Sequence, residues 1–147
     1  MPPSSGGATT YIIRNREIMK KAKERKYSDG HLWVEVHGDE AVIGLTELAL
    51  EELENVTFVE LPPLGKAIRR DDVLFVLESN KASGDFVAPI DCVVTDRNDI
   101  LATDTTLVNS SPEELGWICK AKITDKAQID ALMDAEEYLS EFSKDSN

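Results

Sequence analysis

The chain has 147 residues, the size of one ordinary domain, and 41% of them are hydrophobic, which excludes a wholly disordered protein. Acidic residues outnumber basic ones by 28 to 16, so the formal net charge is −12. Such a field repels phosphate backbones, and we therefore expect no nucleic-acid partner. No apolar run approaches the roughly 18 residues of a membrane span, and no signal-peptide core is visible. We expect a small, acidic, soluble intracellular protein.

The first 26 residues differ in charge from the remainder. They contain seven Lys and Arg but only two Glu, and residues 1–10 are rich in Pro, Ser, Gly and Thr. Residues 1–26 are therefore predicted to form a flexible basic extension, with a short helix over residues 11–26. A basic, acid-poor start is typical of a mitochondrial transit peptide, and a solvated tail or a remnant of cloning is the equal alternative. The protein is accordingly expected in the cytoplasm, or in a mitochondrion or related organelle if the extension is a transit peptide.

Short strands begin at Leu32 and recur at regular spacing. A hairpin is predicted where apolar residues flank Gly38-Asp39, a two-residue turn signal. The predicted strands comprise residues 32–36, 41–43, 56–61, 73–78, 86–88, 93–95 and 117–123. Their spacing favours a small sandwich or barrel over a parallel sheet.

Two helices complete the predicted fold. Thr46 is predicted to cap a short helix over residues 47–54. Residues 125–142 are predicted to form a C-terminal helix, in which Asp125 and Gln128 make a capping box. The predicted organisation is the basic extension at 1–26, a β domain at 27–124, and a C-terminal helix and tail at 125–147.

No conventional catalytic site is visible in the sequence. The chain lacks a nucleophile elbow, a Gly-rich phosphate loop and a metal motif. His31 and His37 lie in or beside a strand segment, where a histidine more often makes a structural hydrogen bond than binds a metal. Cys92 and Cys119 have apolar strand neighbours and are expected to be buried thiols. We therefore expect no metal site and no enzyme activity of the chain alone.

Lys81 is the clearest candidate for a chemically functional residue. It occupies a polar turn between two apolar strands, with Glu78 before it and Asp85 after it. A modifying enzyme easily reaches an amine on an exposed hairpin, and acylation would convert that amine into a tether for a cofactor. A plain solubilising lysine is the alternative. The acid pairs Asp71-Asp72 and Glu113-Glu114, by contrast, are expected in solvated turns.

The segment around Lys81 resembles a known modification motif. Residues 78–85 read Glu-Ser-Asn-Lys-Ala-Ser-Gly-Asp, which resembles the lipoylation motif Glu-Ser-x-Lys-Ala-x-x-Asp of the glycine cleavage H-protein family. Further blocks resemble that family in the same order: His31-Leu32-Trp33-Val34, Ile43-Gly44-Leu45-Thr46, Phe58-Val59-Glu60-Leu61-Pro62, Ala88-Pro89-Ile90, Val108-Asn109-Ser110-Ser111-Pro112, Gly116-Trp117-Ile118 and Leu132-Met133-Asp134-Ala135-Glu136-Glu137-Tyr138. Together the resemblance covers about residues 27–142.

The resemblance implies a mostly β fold, a lipoyl-domain-like flattened barrel or sandwich with a short internal helix and a C-terminal helix. It also implies a carrier rather than an enzyme, with lipoic acid amide-linked to Lys81 and with Glu78 and Asp85 in the environment of the arm. The arm would carry an aminomethyl group from glycine decarboxylase to the tetrahydrofolate-dependent aminomethyltransferase, and dihydrolipoamide dehydrogenase would reoxidise the dithiol. The resemblance further implies a lipoyl or octanoyl transferase as a partner, and we expect a monomer.

The chain also departs from the family pattern. In the family, Ser and Glu at the His-Glu-Trp block help to hold the loaded arm in a surface cleft, and here Gly30 and Leu32 occupy those positions. Neither side chain forms hydrogen bonds. Asp91-Cys92 replaces a turn that is usually Ser-Gly, so the backbone there lacks the freedom of glycine. Two alternatives therefore stay open: an H-like lipoyl carrier in lipoate relay or sulfur oxidation, and a scaffold without lipoate.

Overall fold

The computed structural model describes residues 25–142 as two antiparallel β-sheets with short helices at their edges. Nine strands lie in this range: Arg25–Tyr27 (β1), Leu32–His37 (β2), Glu40–Leu45 (β3), Val56–Glu60 (β4), Ala67–Ile68 (β5), Val73–Ser79 (β6), Ser83–Val87 (β7), Cys92–Arg97 (β8) and Cys119–Ile123 (β9). The same range contains four α-helices and one 3-10 turn: Glu47–Leu53 (α1), Thr106–Ser110 (α2), Ala127–Asp130 (α3), Ala135–Phe142 (α4) and Asp99–Ala102 (3-10).

The two sheets form a flattened sandwich. The larger sheet has the strand order β1-β2-β3-β9-β8-β5, and the smaller one has the order β4-β6-β7. Side chains alternate across each strand, so one face of each sheet is free to enter a shared core. Buried residues of both sheets, such as Val34 and Ile43 of the larger and Val59 and Leu77 of the smaller, belong to one hydrophobic cluster. The predicted mostly β sandwich is confirmed.

The predicted hairpin at Gly38-Asp39 is confirmed. Strands β2 and β3 pair in antiparallel register from Leu32 opposite Leu45 to the turn, where Gly38 has a φ of +66°. A left-handed backbone of this kind suits glycine, which has no Cβ to clash.

The helix predicted after Thr46 is also confirmed. The Thr46 side chain accepts a hydrogen bond from the backbone N–H of Ala49 at 3.3 Å, which satisfies one of the free donors at the start of α1. The helix buries Ala49 and Leu53, one turn apart, against the core. Helix α1 therefore leads from the end of β3 to the beginning of β4, with its acidic side chains in solvent.

The C-terminal segment differs from the single helix that the sequence predicted. It forms two short helices, because the backbone of Met133 leaves the helix to pair with Tyr27 of β1. The two hydrogen bonds of this bridge, at 2.7 and 2.9 Å, tie the C-terminal segment to the edge of the larger sheet. A local pattern of apolar residues carries no information about this long-range pairing.

Asp125 caps the start of α3, as expected, because its carboxylate accepts the N–H of Ala127 at 3.1 Å, but the reciprocal Gln128 bond of a capping box is not formed. The Gln128 side chain instead accepts the backbone N–H of Asp91 at 2.6 Å, on another part of the fold. A reciprocal box stands at the start of α4, where Glu137 N–H donates to the Asp134 carboxylate at 2.8 Å and Asp134 N–H donates to the Glu137 carboxylate at 3.0 Å. The second helix therefore has its own start signal, which the sequence analysis overlooked.

Most of the predicted basic extension lies outside the described residues, as do residues 143–147. The transit-peptide interpretation therefore stays a prediction. The last two residues of the predicted extension, Arg25 and Lys26, do not continue a helix but belong to strand β1. The physical reason is that Arg25 is buried, with 6% of its surface exposed, and its guanidinium donates to Glu35 and to the carbonyl of Glu113.

Candidate functional site: the Lys81 hairpin

Lys81 lies at the tip of the hairpin that joins β6 and β7. The tip is short: Ser79 N–H donates to the carbonyl of Ala82 at 2.8 Å, which closes the turn. The Ser79 hydroxyl accepts the N–H groups of Lys81 at 3.1 Å and Ala82 at 3.0 Å. The sequence predicted a longer polar loop up to residue 85, but strand pairing already resumes at Ser83 opposite Glu78. Ser79 thus orders the tip, a role that the sequence analysis missed although hydroxyls in turns commonly act this way.

The amine of Lys81 is open to solvent. Its side chain is 60% exposed, and its Nζ lies 3.6 Å from Oε2 of Glu54, whose side chain is 61% exposed. A pair so accessible to water contributes little to stability, and its two side chains separate at little cost. The lysine therefore has the accessibility that a modification site requires.

The end of helix α1 supports the hairpin tip. Asn80 N–H donates to the carbonyl of Asn55 at 3.2 Å, and Val56 pairs with Ser79 between β4 and β6. Glu54 has a φ of +66°, a left-handed conformation that turns the chain from α1 into β4. Glu54 and Lys81 are 27 positions apart in the sequence and become neighbours only through the pairing of β4 with β6. No local pattern in the sequence marks Glu54.

Glu78 and Asp85 lie on the outer face of the β4–β6–β7 sheet. Glu78 is opposite Ser83, and Asp85 is opposite Val76. Leu77 lies between Val76 and Glu78 on β6 and is buried. Its two neighbours on the strand therefore point to the opposite, outer face of the sheet. Both carboxylates are exposed. The structure thus places these two predicted arm-environment residues on the hairpin that carries Lys81.

Leu32 does not line a surface cleft, contrary to the expectation from the family pattern. It has no exposed surface and is paired with Leu45 inside the core. A leucine at this position gains free energy by burial, whereas an acid would have to face water. Gly30 does lie beside the hairpin, since a Cβ there would be 3.8 Å from the Val87 side chain. The chain therefore presents no carboxylate from position 32 toward the Lys81 hairpin.

The two histidines make structural hydrogen bonds, as predicted. The Nδ1 of His31 is 2.7 Å from the Tyr138 hydroxyl, which is also 2.8 Å from the Thr46 hydroxyl. These contacts join helix α4 to the start of helix α1. The Nε2 of His37 is 2.7 Å from Oε2 of Glu35. Each ring is thus accounted for by a contact within the fold.

The two cysteines are buried and free, as predicted. Cys92 and Cys119 have 1% and 0% of their surface exposed. Burial raises the pKa of the Cys92 thiol to about 11, and burial also raises the pKa of Cys119, so both stay protonated and weakly nucleophilic at neutral pH. The backbone at Asp91-Cys92 does not need the conformational freedom of glycine, because neither residue has a positive φ.

The prediction for the acid pairs is correct for Asp71, Asp72 and Glu114, which are exposed, and wrong for Glu113. The Glu113 side chain is 30% exposed and accepts the backbone N–H of Glu47 at 2.9 Å. Burial raises the pKa of Glu113, and the hydrogen bond from Glu47 only partly offsets that effect. Glu113 also lies 3.7 Å from the guanidinium of Arg25 on β1, and the local sequence does not reveal this contact.

Comparisons with known proteins agree with this geometry. The family model described as glycine cleavage H-protein matches residues 25–145. A relative from Caldanaerobacter subterraneus, glycine cleavage system H protein 1, is 42% identical over 120 residues, which cover 82% of this chain and 95% of the relative. Glycine cleavage system H protein 2, mitochondrial, from Arabidopsis thaliana is 38% identical over 79% of this chain and 74% of its own length.

A solved structure gives the same result. The crystal structure of a glycine cleavage system H protein from Mycobacterium marinum superposes with a TM-score of 0.73 at 26% sequence identity, covering 80% of this chain and 95% of that one. Within residues 25–142, no helix is long and apolar enough to cross a membrane. The family model and the relatives together show that the chain belongs to the glycine cleavage H-protein family.

Proposed function

We propose that this protein carries lipoate on Lys81 and serves as the mobile carrier of a glycine cleavage system. Its family supports a lipoyl carrier that is a component of that system and not itself an enzyme. The observation that carries the assignment to Lys81 is the exposed amine at the tip of a hairpin ordered by Ser79.

The residues around Lys81 fit a covalently attached lipoyl group. Acylation needs an amine that an enzyme can reach, and among residues 25–142 the Lys81 side chain is paired only with Glu54, in a long, exposed contact. Conversion to an amide removes the positive charge and with it the attraction to Glu54. The modified side chain is then free to leave the protein surface.

The contribution of this chain to the reaction is positional. When bound, a lipoyl group supplies a dithiolane that accepts electrons and a one-carbon unit at the end of a long, flexible arm. The chain holds the base of that arm rigidly, because β6 pairs on both sides, with β4 and with β7. The turn bonds of Ser79 keep Lys81 projecting from the end of the sheet. A rigid base with a mobile arm suits a carrier that visits several active sites.

We infer the partners from the chemistry of the arm. Glycine decarboxylase would load it, the tetrahydrofolate-dependent aminomethyltransferase would unload it, and dihydrolipoamide dehydrogenase would reoxidise it. A net charge of −12 favours steering toward basic docking surfaces and rapid release at physiological ionic strength. The transferase that attaches the lipoyl group is the fourth partner.

One observation favours a second candidate, a lipoyl carrier in another pathway. Leu32 is fully buried, and Gly30 has no side chain, so neither offers a polar group to an aminomethylated arm. Such a carrier would hold its cargo loosely or would not carry an amine at all. Lipoate relay and sulfur oxidation are the alternatives that this departure leaves open.

Mass spectrometry of the protein from its native cells tests the proposal. We expect a lipoyl-sized addition on the peptide that contains Lys81, and its loss in Lys81→Arg but not in the control Lys66→Arg, which changes another exposed lysine. Glycine-dependent bicarbonate exchange with purified glycine decarboxylase then separates the two pathways. An unmodified Lys81, in cells whose other lipoyl proteins are modified, would contradict the proposal and leave a scaffold.

A further inference from the structure

An apolar centre with acidic neighbours lies on the outer face of the β4–β6–β7 sheet, next to Lys81. Phe58 is opposite Glu78, and Glu60 is opposite Val76, on either side of the inward-facing pair of Val59 and Leu77 between β4 and β6. We call Phe58, Glu60, Val76 and Glu78 the Phe58 patch. Phe58 is 43% exposed, Val76 is partly buried, and both glutamates are exposed. Aromatic side chains are enriched in protein interfaces relative to the rest of the surface.

A β-bulge turns the Phe58 ring outward. Val56 and Val59 are both buried, so the strand has two residues, Thr57 and Phe58, between its inward positions where regular alternation allows one. The pairing of β4 with β6 shifts register between Val56 and Phe58, and the Thr57 hydroxyl donates to the carbonyl of Glu78 at 3.3 Å. Without the bulge, Phe58 would share the inward face of Val56. Bulges often redirect a side chain for function, and here the redirected ring faces solvent.

The distance from the patch to the amine indicates which partner it suits. A lysine side chain spans about 6 Å from Cα to Nζ, and a lipoyl group adds roughly one and a half times that length. An enzyme that works on the far end of the arm can therefore dock away from the hairpin. An enzyme that forms the amide bond at Nζ must bring its active site close to the hairpin backbone. Such an enzyme also covers the strand ends next to the hairpin tip, where Glu78 is three residues from Lys81.

We propose that the Phe58 patch is the docking surface for the acyltransferase that attaches the lipoyl group to Lys81. The inference rests on the proposed function. The complementary surface has an apolar socket for the Phe58 ring, surrounded by Lys or Arg side chains that pair with Glu60 and Glu78. Charge on both sides steers the encounter, and the buried ring slows dissociation.

The reaction that this docking serves is a simple acyl transfer. The Lys81 ammonium first gives up one proton, and the neutral Nζ attacks the carbonyl carbon of a thioester donor. The N–C bond forms, the C–S bond breaks, and the departing thiol takes the second proton from nitrogen. No oxidant or reductant is required.

Kinetics of acyl transfer to the unmodified protein test the inference. The probes are a purified lipoyl or octanoyl transferase and an octanoyl thioester donor, with the octanoylated Lys81 peptide quantified by mass spectrometry. We expect Phe58→Ser to raise the KM for the carrier at least fivefold with kcat nearly unchanged. We expect Glu60→Lys to raise KM at low salt and to weaken the increase of KM with ionic strength. The matched control is Leu115→Ser, which removes an equally conspicuous apolar side chain, 62% exposed, in the loop before β9.

The outcomes separate the inference from the function on which it rests. An unchanged KM in Phe58→Ser and Glu60→Lys, with wild-type protein acylated normally, would overturn the docking surface and leave the carrier intact. An equal increase of KM in Leu115→Ser would also overturn it, since the effect would then be a general one. Failure of the wild-type protein to be acylated, while a known lipoyl protein is acylated by the same enzyme, would contradict both. Thermal unfolding of each variant, and Phe58→Leu with a partly restored KM, distinguish lost docking from lost folding.

Discussion

Arg25 and Lys81 both face glutamates, but the regions around them differ in how much water they admit. Arg25 is 6% exposed, its Nε lies 2.9 Å from Glu35, and its guanidinium stacks 3.9 Å from the centre of the Trp33 ring. Lys81 is ten times more exposed, and its ion pair with Glu54 is at 3.6 Å. The fixed cation contributes to stability, whereas the loosely held one is left available for chemistry. Burial therefore determines whether a cation paired with glutamate stabilises the fold or remains available for chemistry.

The strongest test of this contrast is Lys81→Arg. We expect the loss of lipoylation and of all carrier activity, because a guanidinium stays charged and is a poor nucleophile toward an acyl donor. Stability should change by less than about 0.5 kcal/mol, since the side chain is exposed. Intact mass, glycine-dependent exchange and thermal unfolding measure the three quantities. Marked unfolding of this variant would contradict the position of Lys81 at an exposed tip.

Arg25→Ala should have the opposite profile. Removal of the guanidinium leaves two partly buried carboxylates, Glu35 and Glu113, without their cation, and the indole of Trp33 without its stacking partner. We expect a loss of about 2–3 kcal/mol in the free energy of unfolding, because breaking a buried pair leaves uncompensated charge. The measurement is denaturant unfolding, with the exposed Arg70→Ala as the control.

The yield of lipoylated protein refines that prediction. We expect folded Arg25→Ala to be lipoylated at the wild-type rate, because Arg25 belongs to the larger sheet and Lys81 to the smaller. A stability loss below about 0.5 kcal/mol would place Arg25 among ordinary surface charges and remove the distinction between the two regions.

The two carboxylates beside Arg25 should respond to pH in opposite directions. Burial raises the pKa of Glu35, but hydrogen bonds from Arg25 and His37 outweigh that effect, so its pKa lies below the ordinary 4.5. Its stabilising contribution is therefore present above pH 4.5 and is lost as the pH falls through the lowered pKa. The raised pKa of Glu113 means that ionisation disfavours the folded state, so stability decreases as the pH rises through the interval above 4.5.

Variants measured against the wild type isolate these effects. We expect Glu35→Gln to cost roughly 1–2 kcal/mol at pH 7, a deficit that shrinks as the pH falls below 4.5. We expect Glu113→Gln, which keeps an acceptor for the N–H of Glu47, to gain stability relative to the wild type as the pH rises from 4.5 to 7. Denaturant unfolding at several pH values gives both differences. Parallel slopes for the two variants would refute the assignment of opposite pKa shifts.

The same contrast shows what the sequence could and could not predict. The β2–β3 hairpin and the Thr46 cap depend on residues close together in the chain, so their signals are local and were predicted. The hairpin with Lys81 was located by its motif and by two apolar strands. Burial of Arg25, which the sequence assigned to a solvated extension, depends on partners ten and 88 positions away. Charge patterning alone cannot separate an ion pair in the core from one in water.

The Glu54 contact with Lys81 is expected to have the smallest effect. Both side chains are about 60% exposed, so water competes for each, and Glu54→Gln should leave the stability unchanged within about 0.5 kcal/mol. The initial rate of Lys81 acylation should rise by less than about twofold, because an ion pair so exposed to water is weak and its loss frees the amine only slightly. Measurement at low and high salt, with Glu51→Gln on the same helix as the control, detects an effect that screening removes. A large, salt-independent change would mean that Glu54 positions Lys81 rather than merely accompanying it, and the loosely held cation would then be a fixed one.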